Sequence, residues 1–268
     1  MPKSFTGNSI KDVYKDILHT NNSNTGISST IKQVTCGDGD TTSLYLSDRN
    51  LKVQPSADST ANTVIYDASG NALLTVDSNN DYVKAGIGQH IVNTQFAHFG
   101  VSSSSSTWAL ITSGYHFAVP FNFDFTQSHV ALGTGTNPDT TYTVSTTADD
   151  LTSSFMFLSS NITVDNVTWF VGGDASNGDT VRAHLMSYSI DVGNGSTGGD
   201  LTNGTVIADG ADITSAGYEQ VYYQQMTIQN ANVDANKILM FLFFIDSDGD
   251  STPSSDFSIN ATIKYHLR

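Results

Sequence analysis

Apolar and polar residues alternate along much of the second half of the chain, with the period of two that marks half-buried β-strands. The last segment is the clearest case, since every second residue from Phe257 to Leu267 is apolar or aromatic. We expect the intervening residues on the opposite side of that strand, namely Ser258, Asn260, Thr262, Lys264 and His266. Similar patterns predict further strands at 116–125, 162–171, 181–190 and 221–228.

One segment is apolar without alternation. Residues 237–245 read KILMFLFFI, which is too short to span a bilayer and fits a strand buried on both faces. Stretches rich in Gly, Asn and Asp separate the predicted strands. Roughly eight strands between residues 89 and 268 predict a jelly-roll-like β-sandwich. The aromatic stripe of 116–125 is then expected in the sandwich core rather than in a ligand cleft.

Residues 31–88 predict a β-meander of short strands, at 44–46, 51–53, 63–66, 72–76 and 82–85. Turn residues separate these strands, as at 67–71 and 77–81. Each predicted strand is short and carries few apolar side chains. Such a meander cannot bury enough surface alone. We therefore expect several copies of the chain to pack around a shared axis in this segment.

Residues 1–30 contain the one predicted helix. Its apolar stripe has the spacing i, i+3, i+4, i+7 and i+8, and consists of Ile10, Val13, Tyr14, Ile17 and Leu18. A helix of about three turns is marginal alone in water, so the stripe needs a partner. We expect it to dock on a partner protein or on copies of itself. The alternative is that it packs on its own chain.

The composition narrows the function. Eleven Lys and Arg stand against 26 Asp and Glu, giving a net charge of -15, and Glu219 is the sole glutamate. This balance argues against binding nucleic acid or anionic membranes. Asp, Asn, Ser and Gly suit turns better than helices, so the chain is predicted to be mainly β.

Cys36 is the single cysteine, which excludes an intrachain disulfide. The first residues do not resemble a signal peptide, so we expect synthesis without secretion.

Candidate chemistry is sparse. The seven histidines lack metalloprotease spacing, and no nucleophile elbow or phosphate-binding loop occurs. The sequence therefore predicts no enzyme and no catalytic residues. Three carboxylates after the apolar strand, those of Asp246, Asp248 and Asp250, form the one candidate calcium site. They do not follow the EF-hand spacing, and a hairpin turn is the alternative interpretation, so no cofactor is expected.

A resemblance appears at 67–88, DASGNALLTVDSNNDYVKAGIG. This segment resembles one that recurs in tail fibres and tailspikes of tailed bacteriophages. The opening segments 10–18 and 21–26 look like the N-terminus of virion proteins of marine phages, and 199–201 and 209–213 are similar to uncharacterised proteins of those phages. The resemblance implies a homotrimer with an N-terminal attachment segment (1–30), a β-rich shaft or shoulder (31–88) and a distal sandwich knob (89–268).

Three functions follow from these patterns. A tail fibre would hold a phage tail protein by its N-terminal segment and a host surface glycan or protein through polar loops of the knob, with candidates at 102–106, 133–139 and 193–204. A head-decorating fibre or cement protein would bind the capsid instead and have no receptor role. A free lectin-like module is the third. The first two predict a virion location after assembly in the bacterial cytoplasm, with no nucleic acid and no membrane insertion.

Overall fold

The computed structural model describes residues 17–23, 25–101, 113–122, 130–144, 151–173, 178–191, 199–216, 219–247 and 257–268. Within these ranges the chain is almost entirely antiparallel β-structure, and their elements include no α-helix. No helix of the described residues is long and apolar enough to cross a membrane. The chain divides into two compact units, one ending at Val92 and one beginning at Asn93.

The N-terminal unit consists of two four-stranded sheets in which neighbours along the chain pair with each other. The first sheet contains β1 (His19–Thr20), β2 (Lys32–Thr35), β3 (Thr41–Leu46) and β4 (Leu51–Val53). The second contains β5 (Thr63–Tyr66), β6 (Ala72–Asp77), β7 (Tyr82–Ala85) and β8 (His90–Ile91). The short strands that the sequence predicts between residues 44 and 85 are confirmed, while β1, β2 and β8 were not predicted.

Aspartates fix two of the three turns of the second sheet. The Asp67 carboxylate accepts hydrogen bonds from the backbone N–H groups of Ser69 and Asn71, each at 2.8 Å, and one from the Asn71 side chain at 2.9 Å. The bonds from the side chain and backbone of Asn71 hold the pKa of Asp67 below its usual value. Gly70 in this turn has a φ of 83°, a conformation that glycine adopts without strain.

The second turn carries a buried carboxylate. Asp77 accepts hydrogen bonds from the backbone and side chain of Asn80, both at 3.0 Å, and lies 3.3 Å from Lys84 Nζ. Burial acts to raise the pKa of Asp77, but the bonds from Asn80 and the contact with Lys84 outweigh it and lower the pKa. The Asp and Asn positions of segment 67–88 therefore have a physical role, since they close two adjacent hairpins.

The C-terminal unit is a sandwich of two facing sheets. The larger contains β10 (Tyr115–Val119), β11 (Ala131–Thr134), β12 (Met156–Phe157), β14 (Thr180–Asp191), β15 (Asp200–Asp209), β16 (Ile213–Thr214), β18 (Thr227–Ile228) and β20 (Lys237–Ser247). The smaller contains β9 (Thr94–Val101), β13 (Ile162–Gly173), β17 (Gln220–Gln225), β19 (Asn232–Val233) and β21 (Phe257–Leu267). A single 3-10 turn within the described residues, Thr152–Ser154, precedes β12.

The long strands follow a jelly-roll order. Among the described strands of this unit, those of five residues or more run β10-β20-β14-β15 in one sheet and β17-β13-β21-β9 in the other. Along the chain, each long strand lies in the opposite sheet from the one before it, except that β14 and β15 form a hairpin. This alternation is the jelly-roll arrangement of a β-sandwich.

The core of the sandwich lies between the sheets and is rich in aromatic rings, including those of Phe99, Trp169, Phe241 and Phe243. Both faces of β20 are buried, as predicted. Its odd-numbered residues from Leu239 to Ile245 join this core, whereas Ile238, Met240 and Leu242 pack in a second cluster on the outer side of the larger sheet. A bulge in β13 between Val164 and Asn166 allows both Val164 and Val167 to face the core.

Three predicted elements differ from the structure. The strand predicted at 116–125 ends at Val119, before Pro120, and residues 123–125 lie outside the described residues. The segment 221–228 is not one strand, because the chain crosses from β17 in the smaller sheet to β18 in the larger one at buried Met226. Residues 10–16 of the predicted helix lie outside the described residues. Ile17 and Leu18, at its predicted end, are not helical but lead directly into β1, whose pairing with β2 requires extended backbone.

Candidate functional site

The described apolar side chains of the N-terminal unit are half-buried or exposed, with one exception. Among its described residues, Val34 is the sole hydrophobic side chain that is buried. Large hydrophobic side chains exposed to solvent are Leu18, Ile27, Leu51, Val53, Ile65, Tyr66, Leu73, Ile87 and Val92. Where such exposed apolar side chains lie together in one patch, they are typical of a protein–protein contact.

Two of these exposed groups lie on sheet edges. β4 ends the first sheet and carries Leu51 and Val53, whereas β5 begins the second sheet and carries Ile65 and Tyr66. The outer side of an edge strand presents backbone N–H and C=O groups that no strand of its own sheet can satisfy. Apolar side chains beside such groups make an edge ready to pair with another chain. We call β4 and β5 the two apolar edges.

The predicted attachment stripe is described only in part. Ile10, Val13 and Tyr14 lie outside the described residues. Ile17 is half-buried, and Leu18 is 62% exposed. The structure therefore does not bring these five side chains together on one described surface, and their role in attachment stays a prediction.

The predicted cation site is also described only in part. Asp246 is exposed near the end of β20, whereas Asp248 and Asp250 lie outside the described residues. Within the described ranges, no three His, Cys, Asp or Glu side chains are grouped so that they could hold a metal ion. Calcium binding at Asp246, Asp248 and Asp250 is untested.

The predicted contact loops have different outcomes. Residues 102–106 lie outside the described residues, as do 193–198 of the third loop, whose remainder enters β15. The loop 133–139 is a mostly exposed turn after β11, closed by a hydrogen bond from Asp139 N to Leu132 O at 2.8 Å. Its Gly133 carbonyl lies 3.3 Å from Nδ1 of His116, which anchors the turn on the sandwich.

A surface that the sequence analysis did not single out lies on the outer face of the smaller sheet. Phe170 of β13 stands directly opposite Tyr223 of β17 on one side and Asn260 of β21 on the other. The next row along the strands consists of Gln225, Thr168, Thr262 and His98 in spatial order. Because these residues alternate with buried ones such as Trp169 and Ala261, their side chains point away from the core.

The rings and polar groups of this outer face are accessible. Phe170 is 43% exposed and Tyr223 is 61% exposed, and their ring centroids are 5.2 Å apart. His98 Nδ1 lies 3.1 Å from the Thr262 hydroxyl, which fixes one end of the polar row. The stretches 96–100, 166–172, 221–225 and 258–264 contain no Asp or Glu, although the chain as a whole is strongly acidic.

The outer side of the larger sheet instead holds a buried histidine pair. His116 of β10 and His184 of β14 are fully buried with ring centroids 5.0 Å apart, and His116 stacks on Phe244 at 4.2 Å. Nε2 of His184 lies 3.1 Å from Asp209 Oδ1. Nearby, Arg182 and Asp212 form an ion pair at 2.7 Å.

Burial controls the charge of this pair. It lowers the pKa of His116 to about 4 and that of His184 to about 3, because an imidazolium ion would lose its hydration there. The positive charge of Arg182 adds to the effect on both rings. Burial likewise raises the pKa of Asp209, against the attraction of Arg182. Both histidines are neutral at pH 7, and neither is accessible to a substrate.

Comparisons with known proteins leave the family open. No family model matches the chain, and no curated protein sequence matches it. Among solved structures, the N-terminal modules of a Clostridium thermocellum endo-1,4-β-D-xylanase, complexed with xylohexaose, align at 17% identity over 42% of this chain and 17% of their own, with a TM-score of 0.21.

Two structures of infectious bursal disease virus also align. The viral particle gives 7% identity over 89% of this chain and 48% of that chain, with a TM-score of 0.19. The VP2 protein gives 9% identity over 92% and 53%, with a TM-score of 0.19. The alignments thus reach at most about half the length of these structures. Likenesses this weak contribute nothing to the assignment of function.

Proposed function

We propose that the protein is a homotrimeric structural appendage of a tailed-phage virion, a tail fibre whose sandwich adheres to a glycan or protein on the host surface. Residues 1–30 attach the trimer to the virion, the N-terminal sheets hold the copies together and the sandwich is distal. The protein is a binding and structural component without catalytic activity.

The observation that supports assembly is the lack of a core in the N-terminal unit. A chain of this length ordinarily buries most of its apolar side chains, yet Val34 is the one buried apolar side chain among the described residues of this unit, and the others are half-buried or exposed. Pairing the two apolar edges with other copies would bury these side chains and satisfy the edge N–H and C=O groups. The trimeric state and the location in a phage virion are inferred from the resemblance of segment 67–88.

Repetition also suits an adhesive role. Three sandwiches on one fibre, with several fibres on one particle, raise the effective concentration of every site, so that weak single contacts give firm attachment. The net charge of -15 per chain makes the fibre repel other acidic particles, which favours dispersed virions. A capsid-decorating fibre would share the assembly but lack the receptor.

The oligomer is tested by light scattering on the full-length protein at micromolar concentration. We expect a mass three times that of the 28.6 kDa chain. Lysines introduced on the edges, in Val53→Lys combined with Ile65→Lys, should reduce the mass to that of one chain, because an edge lysine opposes strand pairing. The matched control is Phe157→Lys, which changes an exposed apolar residue of the other unit and should leave the trimer intact.

A monomeric wild-type protein would contradict the proposal outright. A trimer that survives both edge substitutions would place the assembly surface elsewhere. Antibody against the sandwich, used for gold labelling of intact virions, should mark tails and not heads. Labelling of heads would support the capsid-decorating alternative, and labelling of neither would contradict a virion role.

A further inference from the structure

We propose that the outer face of the smaller sheet, at Phe170, Tyr223, Asn260, Thr262, Gln225 and His98, binds an uncharged glycan. This inference deepens the adhesive part of the proposed function and moves the contact from the loops to a sheet face. It rests on side chains held by four paired strands, whose positions are set by the sandwich rather than by flexible connections.

The aromatic pair provides the apolar part of such a site. A pyranose ring presents C–H groups on its faces and hydroxyls around its edge, so it packs on an aromatic face and leaves its hydroxyls free. Phe170 and Tyr223 are adjacent on neighbouring strands, tilted by 47°, and half or more of the Tyr223 ring is open to solvent. Rings on paired strands lose little freedom on binding, which favours affinity.

Polar side chains next to the rings provide the complementary part. Asn260 lies in the same row as Phe170, about 5 Å across the sheet, and the row of Gln225, Thr168 and Thr262 lies about 7 Å along the strands. Amide and hydroxyl groups both donate and accept hydrogen bonds, as sugar hydroxyls do. One or two sugar residues spanning two rows would reach the rings and these groups together.

The charge on this face indicates which glycans fit. The four strand stretches that form it have no carboxylate, and Lys264 is their one charged residue. The chain as a whole has a net charge of -15 and repels anionic polymers at a distance. An uncharged saccharide avoids this repulsion, whereas one rich in sialic or uronic acids does not.

A second copy of this chain fits the face less well. A protein partner would bury Asn260, Gln225 and Thr262, whose hydrogen-bonding groups then need matched partners. The face does carry four exposed large hydrophobic side chains, as many as the two apolar edges together, namely those of Phe96, Phe170, Val221 and Tyr223. Occupation by another protein or by another copy is therefore an outcome that the experiment must distinguish.

The test uses full-length protein on an array of uncharged oligosaccharides (glucans, mannans and galactans) beside sialylated and uronic-acid oligosaccharides. We expect binding to at least one uncharged class. The variants Phe170→Ala and Tyr223→Ala should each weaken it by about tenfold, since each removes one stacking surface. The control Phe157→Ala, which removes an exposed phenyl ring from the larger sheet, should bind as the wild type does.

Circular dichroism and light scattering of every variant complete the design. Because the changed rings are exposed, all three variants should keep the wild-type unfolding temperature and mass. No binding to the array, binding restricted to the acidic saccharides, or equal loss in Phe157→Ala would overturn the inference. A fall in mass with Phe170→Ala or Tyr223→Ala would show that the face joins copies of the chain, which also overturns it. In contrast, a trimer that binds no glycan would contradict this inference alone and would agree with the proposed structural appendage.

Discussion

The two units of the chain hold their strands together by different means. In the N-terminal unit, side-chain hydrogen bonds close the turns, as at Asp67 and Asp77. Gln89 adds a link across the second sheet, since it donates to the carbonyls of Ala72 and Gly86 and accepts from the Thr75 hydroxyl. In the C-terminal unit, two apolar clusters cover both faces of β20. One unit thus depends on local polar contacts and the other on a shared core.

This difference explains why an acidic, Asp-rich chain with a modest hydrophobic fraction can fold. The sandwich concentrates apolar residues on a few long strands, whereas the meanders use Asp, Asn and Gly at turns and leave their apolar residues half-buried or exposed. The sandwich therefore buries most of its apolar side chains in a core within its own unit. The N-terminal unit lacks such a core, and in the proposed assembly other copies of the chain would provide the missing burial.

The largest effect should come from deleting a core ring of the sandwich. Phe241 is fully buried, with Phe99 and Trp169 at ring-centroid distances of 6.3 and 6.2 Å. We expect Phe241→Ala to lower the free energy of unfolding of this unit by about 4 kcal/mol, because it removes apolar burial and leaves a cavity. Urea denaturation followed by tryptophan fluorescence measures the change.

Phe157→Ala is the control for this prediction, since it removes the same side chain from β12, where the ring is 60% exposed. Its effect should stay within about 0.5 kcal/mol. The N-terminal unit should be unaffected by Phe241→Ala, which hydrogen exchange of β5–β7 would report. If the amides of β5–β7 lost as much protection as those of the sandwich, the stability of the N-terminal unit would depend on the sandwich core, which contradicts the comparison.

Mild acid should weaken the sandwich before it weakens the N-terminal unit. His116 and His184 have folded-state pKa values of about 4 and about 3, below the ordinary value of 6.5. As the pH falls, the unfolded chain therefore binds a proton at each histidine before the folded chain does. Their contribution to stability is present above pH 6.5 and falls as the pH drops, down to about pH 4 for His116 and about pH 3 for His184. At pH 5 the loss is about 2 kcal/mol from each histidine. Protonation of Asp209, whose pKa is raised, acts in the opposite direction.

The carboxylates of the N-terminal unit respond at lower pH. The pKa values of Asp67 and Asp77 are lowered from 3.8, so their contribution is present above that pH and is lost only below it. Urea denaturation at pH 7.5 and pH 5 should show the sandwich losing stability alone. In the double variant His116→Gln, His184→Gln the pH dependence should flatten. An unchanged slope in that variant would assign the acid sensitivity to other groups.

Local patterns in the sequence predicted most of the strands, because alternation and turn residues depend on near neighbours. The bounds of β5, β7 and β21 agree with the prediction, and the two-sided burial of β20 followed from its unbroken apolar run. The crossing at Met226 was not predictable in this way, since which sheet accepts a strand depends on distant partners. The same holds for the histidine pair and for the row of Phe170, Tyr223 and Asn260, which strand pairing assembles from distant segments.

The smallest effect concerns the turn chemistry of the N-terminal unit. Replacing Asp77 by Ala removes the acceptor for Asn80 and the partner of Lys84, whose side chain is largely covered. We expect a loss of about 1–2 kcal/mol, as for other hydrogen bonds to a charged acceptor. Hydrogen exchange of the amides in β6 and β7 should report it as faster local opening, with the sandwich unchanged.

Asp58→Ala is the matched control for this variant, because it removes an exposed aspartate from the same unit and should have no measurable effect on those amides. If Asp77→Ala behaved like this control, the hairpin would not depend on its carboxylate. The meander would then be held by contacts between copies alone. If instead the variant opens β6 and β7 while the trimer persists, the turn bonds and the assembly contribute separately to the stability of the N-terminal unit. The Asp and Asn residues of segment 67–88 would then be explained by the turns that they close.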